Sequence, residues 1–265
     1  MISDLSNCSA PAAADRPDYI REAGEVIGFG TPALRVEIMP TWLCRLVISA
    51  RHYSRTIVRN ATLHLGIYAG RELVGVMQFG YAMNPASGRR VVEGTANDEY
   101  LELNRLWVHD KCPKNTESRV LRFAFTLIRA IRKKVRWVQS FADERCGCGI
   151  VYQAANFLFI GSHSTVFYRL DGEWYHDMLL TAHKKGGERG RRIRENLHRA
   201  ETFKFRQFRY IYFLQPKYRA GLRFSVQPYP KPRGESVNGD TPRDHRGEKG
   251  SIPLRRSRGR RIRKA

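Results

Sequence analysis

Two side chains with the chemistry of a base and an acid follow a predicted strand in the middle of the chain. The stretch VRWVQSFADE (135–144) has the pattern of a strand that ends at Asp143, and a short helix then carries Tyr152. A carboxylate placed there can remove a proton, and a phenol can supply one. The structural alternatives are a turn cap for Asp143 and a core position for Tyr152, and Glu144 is the substitute base if Asp143 faces away.

Two polar residues interrupt an apolar strand predicted over 101–108. Arg105 needs a partner if it is buried, and Glu102, an acid across the sheet, a phosphate or another group of a bound substrate can each provide one. Asn104 adds a second polar group beside it. Because neighbouring residues of a strand point to opposite faces, Asn104 and Arg105 can serve one site only if a bulge lies between them. Both are candidate site residues, Arg105 for catalysis and Asn104 for substrate.

The segment KNTESRVL predicts the N-terminus of a helix. Free backbone N–H groups and the helix dipole attract anions at such an end. Ser118 and Arg119 are the main candidates for holding an anionic group donor there, together with Asn115 and with Val108 at the end of the preceding strand. Ser118 is also a catalytic candidate. The alternative is that Thr116 or Ser118 only caps the helix.

His52 and Tyr53 end the first predicted helix. They can contact the substrate or ligate a metal such as iron, and the plainer alternative is a simple helix terminus. Cys146 and Cys148 are too close for the usual zinc spacing, so free thiols in a loop are favoured over a metal site. Five scattered cysteines also argue against a disulfide framework and fit a reducing compartment.

The charge of the chain predicts a polyanionic partner. The net charge is +22, and residues 181–265 alone hold 25 Lys and Arg against 7 Asp and Glu, a net charge of +18. Arg191, Arg192 and Arg194 are the candidates for contacts with the phosphates of such a partner within the segment 189–199, and the tail 254–264 adds more. No segment has the pattern of a signal peptide or of a membrane span, which predicts a soluble, cytoplasmic protein.

Composition divides the chain into three parts. Residues 1–33 are rich in Ala, Pro, Gly and Asp and predict a flexible leader, 34–224 a folded domain, and 225–265 a basic, disordered tail. Periodicity within the domain predicts helices over 42–50, 118–133, 149–161 and 191–201, strands over 101–108, 135–144 and 205–214, and hairpins that turn at 69–71 and 171–172. This order predicts one mixed α/β sheet.

The motifs RHYS, LNRLWV, PKN-ESR, ADE and YQAANF occur together in this order. With them the chain resembles the GNAT-type acyltransferases over roughly residues 40–215, and more specifically the Mom family of bacteriophage DNA-modification proteins. The resemblance implies a GNAT-like fold and a product in which adenine of double-stranded DNA carries a carbamoylmethyl group on N6, which protects phage DNA from host restriction.

This resemblance implies roles for the candidate residues. Adenine N6 is a weak nucleophile, so Asp143 is expected to take its proton, and Tyr152 to protonate a leaving thiolate. The adenine must be flipped out of the duplex, and four aromatic side chains are available to stack on it: Tyr53, Trp107, Phe157 and Tyr168.

The group donor is left open by the sequence. An acyl-coenzyme A-like donor is implied by the fold, yet KCPKNTESR replaces the glycine-rich pyrophosphate loop that is usual in acyltransferases. Two other functions stay in view: N-acetylation of a protein or a small amine, and non-catalytic DNA binding on the same fold. The oligomeric state is open, and a dimer is one option.

Overall fold

One mixed sheet of ten strands organises the protein. This computed structural model describes residues 16–82, 84–181 and 187–232. The strand order is β1-β2-β3-β4-β5-β6-β7-β10-β8-β9. The strands are β1 Asp18–Glu22, β2 Glu25–Gly30, β3 Leu34–Ile38, β4 Ala61–Ala69, β5 Glu72–Gly80, β6 Tyr100–Val108, β7 Trp137–Asp143, β8 Leu158–Leu170, β9 Glu173–His176 and β10 Glu201–Phe213. The mixed α/β sheet predicted from the sequence is confirmed.

Five helices connect the strands, and the two longest pack on opposite faces of the sheet. They are α1 Thr41–Arg51, α2 Thr116–Ile131, α3 Ile150–Ala154, α4 Met178–Thr181 and α5 Gly187–Glu195. The buried residues of α2 recur at helical spacing and join the main core: Val120, Leu121, Ala124, Phe125, Leu127 and Ile128. Cys44 and Ile48 of α1 pack instead against Val76.

The two central strands separate after a short contact. β6 and β7 are parallel and pair only from Tyr100↔Trp137 to Glu102↔Gln139, whereas every other strand pair is antiparallel. Beyond that point β6 stays paired with β5 and β7 with β10. The Ser140 hydroxyl donates to the Leu103 carbonyl at 3.1 Å where the strands part. This opening is called the fork below.

Three boundaries predicted from composition or periodicity are wrong. Residues 18–30, assigned to the flexible leader, form β1 and β2 because Phe29 packs on the core and on Phe123. The segment from residue 158 onward belongs to β8 and not to a helix, since Phe157 already turns into the core. The tail begins later than 225, because Gln227 and Tyr229 bond to the carbonyls of Phe159 and Phe157 at 2.9 and 2.8 Å.

Most of the remaining elements agree with the predictions to within a few residues, but the helix predicted over 191–201 is displaced, because α5 ends at Glu195 and β10 begins at Glu201. The first helix, both hairpin turns, the strand over 101–108 and the basic helix that follows it are all present. Residues 1–15 of the leader and 233–265 of the tail lie outside the described residues. Within the described ranges, no helix is both long and apolar enough to cross a bilayer.

Candidate active site

A half-buried carboxylate lies at the base of the fork. Glu102 accepts hydrogen bonds from Asn104 Nδ2 at 3.2 Å and from Gln139 Nε2 at 3.0 Å. Burial raises the pKa of Glu102, while these hydrogen bonds and the positive charges of Arg105 and Arg209 oppose that shift. Residues from three strands therefore converge on Glu102, which the sequence suggested only as a partner for Arg105.

A bulge in β6 brings Asn104 and Arg105 to the same region. In the pairing with β5, Gln78 lies opposite Arg105 and Phe79 lies opposite Leu103, so Asn104 is the additional residue. The bulge on which the joint use of these two residues depended is thus present. Arg105 Nη1 donates to the Asn104 carbonyl at 2.6 Å and Arg105 Nε to the Thr56 carbonyl at 3.1 Å.

Asp143 ends β7 and is held from one side by Arg145. Arg145 Nε lies 3.0 and 3.1 Å from the two carboxylate oxygens of Asp143, and the Arg145 amide donates to Oδ1 at 3.0 Å. The guanidinium of Arg145 is packed over the ring of Phe167 at 3.9 Å. Asp143 therefore caps its turn and forms an ion pair, while a carboxylate has further lone pairs that these bonds leave open. Glu144 bonds Arg206 instead.

Two tyrosines complete the cluster around the fork. Burial raises the pKa of Tyr152, opposed first by a hydrogen bond with Ser140 and then by the charge of Arg105. Burial raises the pKa of Tyr53, and its hydroxyl lies in the electrostatic field of the Cys146 thiol and of Asp143, which both raise that pKa further. Although Cys146 is exposed at the surface, its pKa is raised to about 11 because the surrounding protein desolvates the thiolate and Asp143 lies nearby.

His52 supports this cluster from beneath Tyr53. It is 4% exposed, and its Nδ1 is 2.9 Å from the Ser54 hydroxyl and accepts the Ser54 amide at 3.1 Å. Burial, and secondly the charge of Arg105, lowers its pKa to about 4, so the ring is neutral at pH 7. With Nδ1 engaged in the turn, only Nε2 remains for a ligand. Among the described residues, no group of three or more His, Cys, Asp and Glu side chains is arranged to hold a metal.

The residues predicted to hold a donor form a second group at the start of α2. Asn115 precedes the helix in the left-handed conformation, and its carbonyl accepts the Ser118 hydroxyl at 3.0 Å. Arg119 lines a cavity of about 440 Å³ together with Phe29 and Arg122. Val108 ends β6 and packs on the core, three residues or about 10 Å beyond Arg105.

The arginines predicted to bind DNA form a third group on α5. Arg192 pairs with Asp171 at 3.1 Å, and Arg194 donates to the Leu179 carbonyl at 2.9 Å. Arg191 is exposed and has no hydrogen bond or ion pair with any residue that the structure describes. The three neighbours therefore differ in how much of their charge is already neutralised.

The four aromatic candidates for stacking on a base differ in how exposed their rings are. Phe157 is fully buried in the core, so it is not available to a substrate. Trp107 packs under α1 and Tyr168 near α5, whereas Tyr53 is 68% exposed and belongs to the fork cluster.

Several side chains around the fork were not predicted, although the sequence contains a signal for all of them except Arg145. Gln139, Arg209 and Arg145 were passed over, and Gln78, 0% exposed, lies opposite Arg105. Gln139 and Arg209 are single polar residues inside apolar strands, the same signal that identified Arg105. Arg145 lies in a turn and gave no such signal.

The chain belongs to the Mom protein family, whose sequence profile matches residues 33–231. It is 54% identical over 220 residues to the methylcarbamoylase Mom of Escherichia phage Mu, covering 82% of this chain and 91% of that protein. Solved structures with lower similarity include an N-acetyltransferase from Staphylococcus aureus Mu50, at 13% identity, TM-score 0.42 and coverage of 69% and 99% of the two chains. Another is the ribosomal-protein-S5-alanine acetyltransferase of Vibrio fischeri, at 6% identity, TM-score 0.42 and coverage of 71% and 96%.

Proposed function

We propose that this chain is a transferase that converts adenine in double-stranded DNA to N6-carbamoylmethyladenine, and that the modification protects phage DNA from restriction in the host cytoplasm. The observation that carries the proposal is the convergence of Asp143, Arg105, Tyr53 and Tyr152 on one fork. The name methylcarbamoylase, borne by the phage Mu relative, supports the chemical group that is transferred.

Asp143 is the proposed base for the reaction. The lone pair of adenine N6 is delocalised into the ring, so a proton must leave N6 as its bond to the new carbon forms. Arg145 engages the Asp143 carboxylate through its amide, Nε and Nη2, which fixes its orientation, and we propose that the remaining lone pair accepts the N6 proton. The N6–C bond forms, and the bond from that carbon to the leaving group breaks.

Tyr152 is the proposed acid. A phenol with its ordinary pKa is already protonated at neutral pH, so the hydroxyl has a proton to give to a departing anion; burial raises the pKa of Tyr152 and weakens it as an acid, and the charge of Arg105 opposes that shift. Arg105, beside Tyr152, stabilises negative charge that develops during the transfer. These two residues and Asp143 together account for the proton that leaves adenine and for the charge on the leaving group.

Tyr53 is the proposed stacking platform for the extruded adenine. A base inside a duplex is sterically closed to this chemistry, and flipping it costs a few kcal/mol. The exposed ring of Tyr53 lies beside Asp143, and its other neighbour is the His52 ring at a centroid distance of 4.3 Å. The neutral imidazole thus supports the platform without competing for the proton.

The donor is proposed to be an anionic, acyl-coenzyme A-like molecule at the start of α2. Arg119 and Arg122 supply positive charge beside the apolar surface of Phe29 and Phe123, which suits a phosphorylated nucleotide moiety. Bound there, the donor would present the carbamoylmethyl group through its CH2 carbon, so that N6 bonds to this carbon as the leaving group departs from it; attack at a thioester carbonyl would give an N6-acyl product instead. Ser118 bonds to Asn115 and is proposed to orient this helix end.

Nucleoside mass spectrometry tests the proposal directly. Plasmid DNA is isolated from cells that express the wild type or Asp143→Asn and is digested to nucleosides. We expect deoxyadenosine heavier by a carbamoylmethyl group with the wild type and unmodified deoxyadenosine with the variant. Unmodified adenine with both proteins contradicts the proposed reaction, and modification by both contradicts the role of Asp143.

A further inference from the structure

A basic turn lies beside the candidate active site. It is defined here as residues 51–59, the connection from the end of α1 to β4. Residues 38–71 contain five arginines and no aspartate or glutamate, so every charged Asp, Glu, Lys or Arg side chain of this segment is positive. Three of these arginines, Arg51, Arg55 and Arg59, belong to the basic turn and are exposed.

The inner side of the basic turn is fixed by residues of the fork. Arg105 Nε donates to the Thr56 carbonyl at 3.1 Å, and Gln78 Nε2 donates to the Val58 carbonyl at 3.4 Å. The basic turn is therefore attached to the same strands that carry the candidate catalytic residues. A ligand held by its outer side is placed in register with the fork.

The conformation of the basic turn directs its arginines outward. Arg55 has φ of 45°, which is unfavourable for a residue with a side chain, and its amide donates to the His52 carbonyl at 2.9 Å. Arg51 and Arg59 flank this point. None of the three side chains has a hydrogen bond, an ion pair or a ring contact with any residue in the described part of the chain.

Tyr53 lies between the arginines of the basic turn and the candidate catalytic residues. It lies between Arg51 and Arg55 in the chain, its ring is exposed, and its hydroxyl lies in the electrostatic field of Cys146 and Asp143. Ile57 adds exposed apolar surface on the other side of Arg55. Guanidinium groups around an aromatic ring are the arrangement that binds phosphates on either side of an unstacked base.

The arginines of α5 are less suited to this role. Arg189 and Arg192 both lie near the Glu173 carboxylate, at 3.4 and 3.9 Å, and Arg192 and Arg199 share Asp171. A cation already paired with a carboxylate gains less from a phosphate, because it must give up its first partner. The basic turn offers unpaired charge, whereas α5 offers mainly paired charge.

We propose that the basic turn is the phosphate-binding surface for the DNA strand that contains the target adenine, with Arg51, Arg55 and Arg59 contacting phosphates on both sides of the extruded nucleotide. The proposal rests on the proposed function, since it names the surface by which the same site holds its substrate. It assigns the positioning of DNA to a segment different from α5.

The test is DNA affinity as a function of salt for the full-length protein. Binding of a fluorescent duplex is measured from 50 to 300 mM KCl for the wild type, for the Arg51→Gln, Arg55→Gln and Arg59→Gln variants, and for the triple variant. Each lost phosphate contact lowers the slope of log affinity against log salt by about 1, so the triple variant is expected to lose about 3, with an affinity at least about tenfold weaker.

Arg71→Gln is the matched control, because Arg71 is also exposed and unpaired among the described residues but lies at the far end of the β4–β5 hairpin. The triple Arg→Lys variant keeps the charge and is expected to keep the slope. Thermal unfolding of each variant confirms that the fold is intact. A triple Gln variant whose slope and affinity match those of Arg71→Gln overturns the proposal.

Nucleoside mass spectrometry on the same proteins separates this inference from the proposed function. If the wild type produces modified adenine but the triple variant keeps the salt slope of the wild type, the role of the basic turn is refuted and the proposed reaction stands. Absence of modified adenine with the wild type refutes the proposed reaction, while a reduced slope in the triple variant still supports the basic turn as a phosphate-binding surface.

Discussion

The two faces of the central sheet use the same strands for different purposes. On the face covered by α2, β6 and β7 place Leu101, Leu103 and Val138 in the main core. On the opposite face Tyr100 and Trp137 form part of a smaller core, and next to them Glu102 and Gln139 of the same two strands bond to one another. Strand alternation thus places the main core on one side and the polar candidate site, beside a smaller core, on the other.

The polar face is costly for the fold. Arg209 Nε and Gln78 Oε1 are buried without a hydrogen-bond partner among the described residues. Groups of this kind destabilise a protein unless they are paired, and a purely structural sheet would replace them with apolar side chains. Their presence on one face only indicates that this face is shaped for a ligand. Substitutions on the polar face are therefore expected to lower the rate of modification, and substitutions on the apolar face to lower the free energy of unfolding.

The largest expected effect is on the polar face, in Asp143→Asn. Removing the base is expected to lower the rate of adenine modification by about 10²- to 10⁴-fold, because general base catalysis typically contributes that much. The measurement is the yield of modified deoxyadenosine over time. Asp98→Asn is the control, since Asp98 is an exposed acid paired with Lys134. Equal rates for Asp143→Asn and Asp98→Asn would show that Asp143 serves only its turn.

Phe125→Ala tests the apolar face. Phe125 is fully buried, stacks on Tyr212 with ring centroids 4.3 Å apart, and contacts Phe157. We expect its loss to reduce the free energy of unfolding by about 3–5 kcal/mol, measured by urea denaturation. The rate per folded molecule is expected to stay near that of the wild type. A large rate loss with unchanged stability would erase the distinction between the faces.

The elements that could be predicted from the sequence are mainly those that build the apolar face. The apolar face has regular periodicity, so the strand at 101–108, the basic helix after it and both hairpin turns were found to within a few residues. The strands at 18–30 were missed because their burial depends on Phe29 meeting Phe123, a contact between residues far apart in the chain. Local pattern carries no information about such contacts.

The candidate site was only partly predictable. Arg105 and Asn104 were found because a polar residue inside an apolar strand is conspicuous, and the bulge that unites them was required by strand geometry. Arg145 escaped because its position over the ring of Phe167 is decided by the fold, although its bonds to Asp143 are local to one turn. The donor residues Ser118, Arg119 and Asn115, and the α5 arginines, remain predictions.

His52 gives the polar face a pH signature. Its pKa is about 4 in the folded protein and 6.5 in the unfolded chain, so the unfolded chain binds a proton first as the pH falls. The contribution of neutral His52 to the free energy of unfolding is therefore fully present above pH 6.5. It decreases as the pH falls from 6.5 to 4, by up to about 3 kcal/mol in total.

The measurement is the free energy of unfolding from pH 7.5 to 4 for the wild type and His52→Gln. We expect a shallower dependence in the variant over this window. The exposed His198 provides the control, and His198→Gln is expected to follow the wild type. Parallel curves for the wild type and His52→Gln would mean that the ring is not held neutral by its surroundings.

The smallest expected effect is at Asn115, where α2 begins. Two substitutions there distinguish the contribution of its backbone conformation to stability from a contribution of its side chain to donor binding. Asn115 has φ of 67° and makes no side-chain capping bond, so its conformation is the feature that the structure uses. Asn115→Gly is expected to keep stability within about 0.5 kcal/mol, and Asn115→Ala to lose about 1–2 kcal/mol, since only alanine is strained there. Thermal unfolding measures both. An Asn115→Gly protein of normal stability that needs more donor for half-maximal modification would instead show that the amide side chain binds the donor.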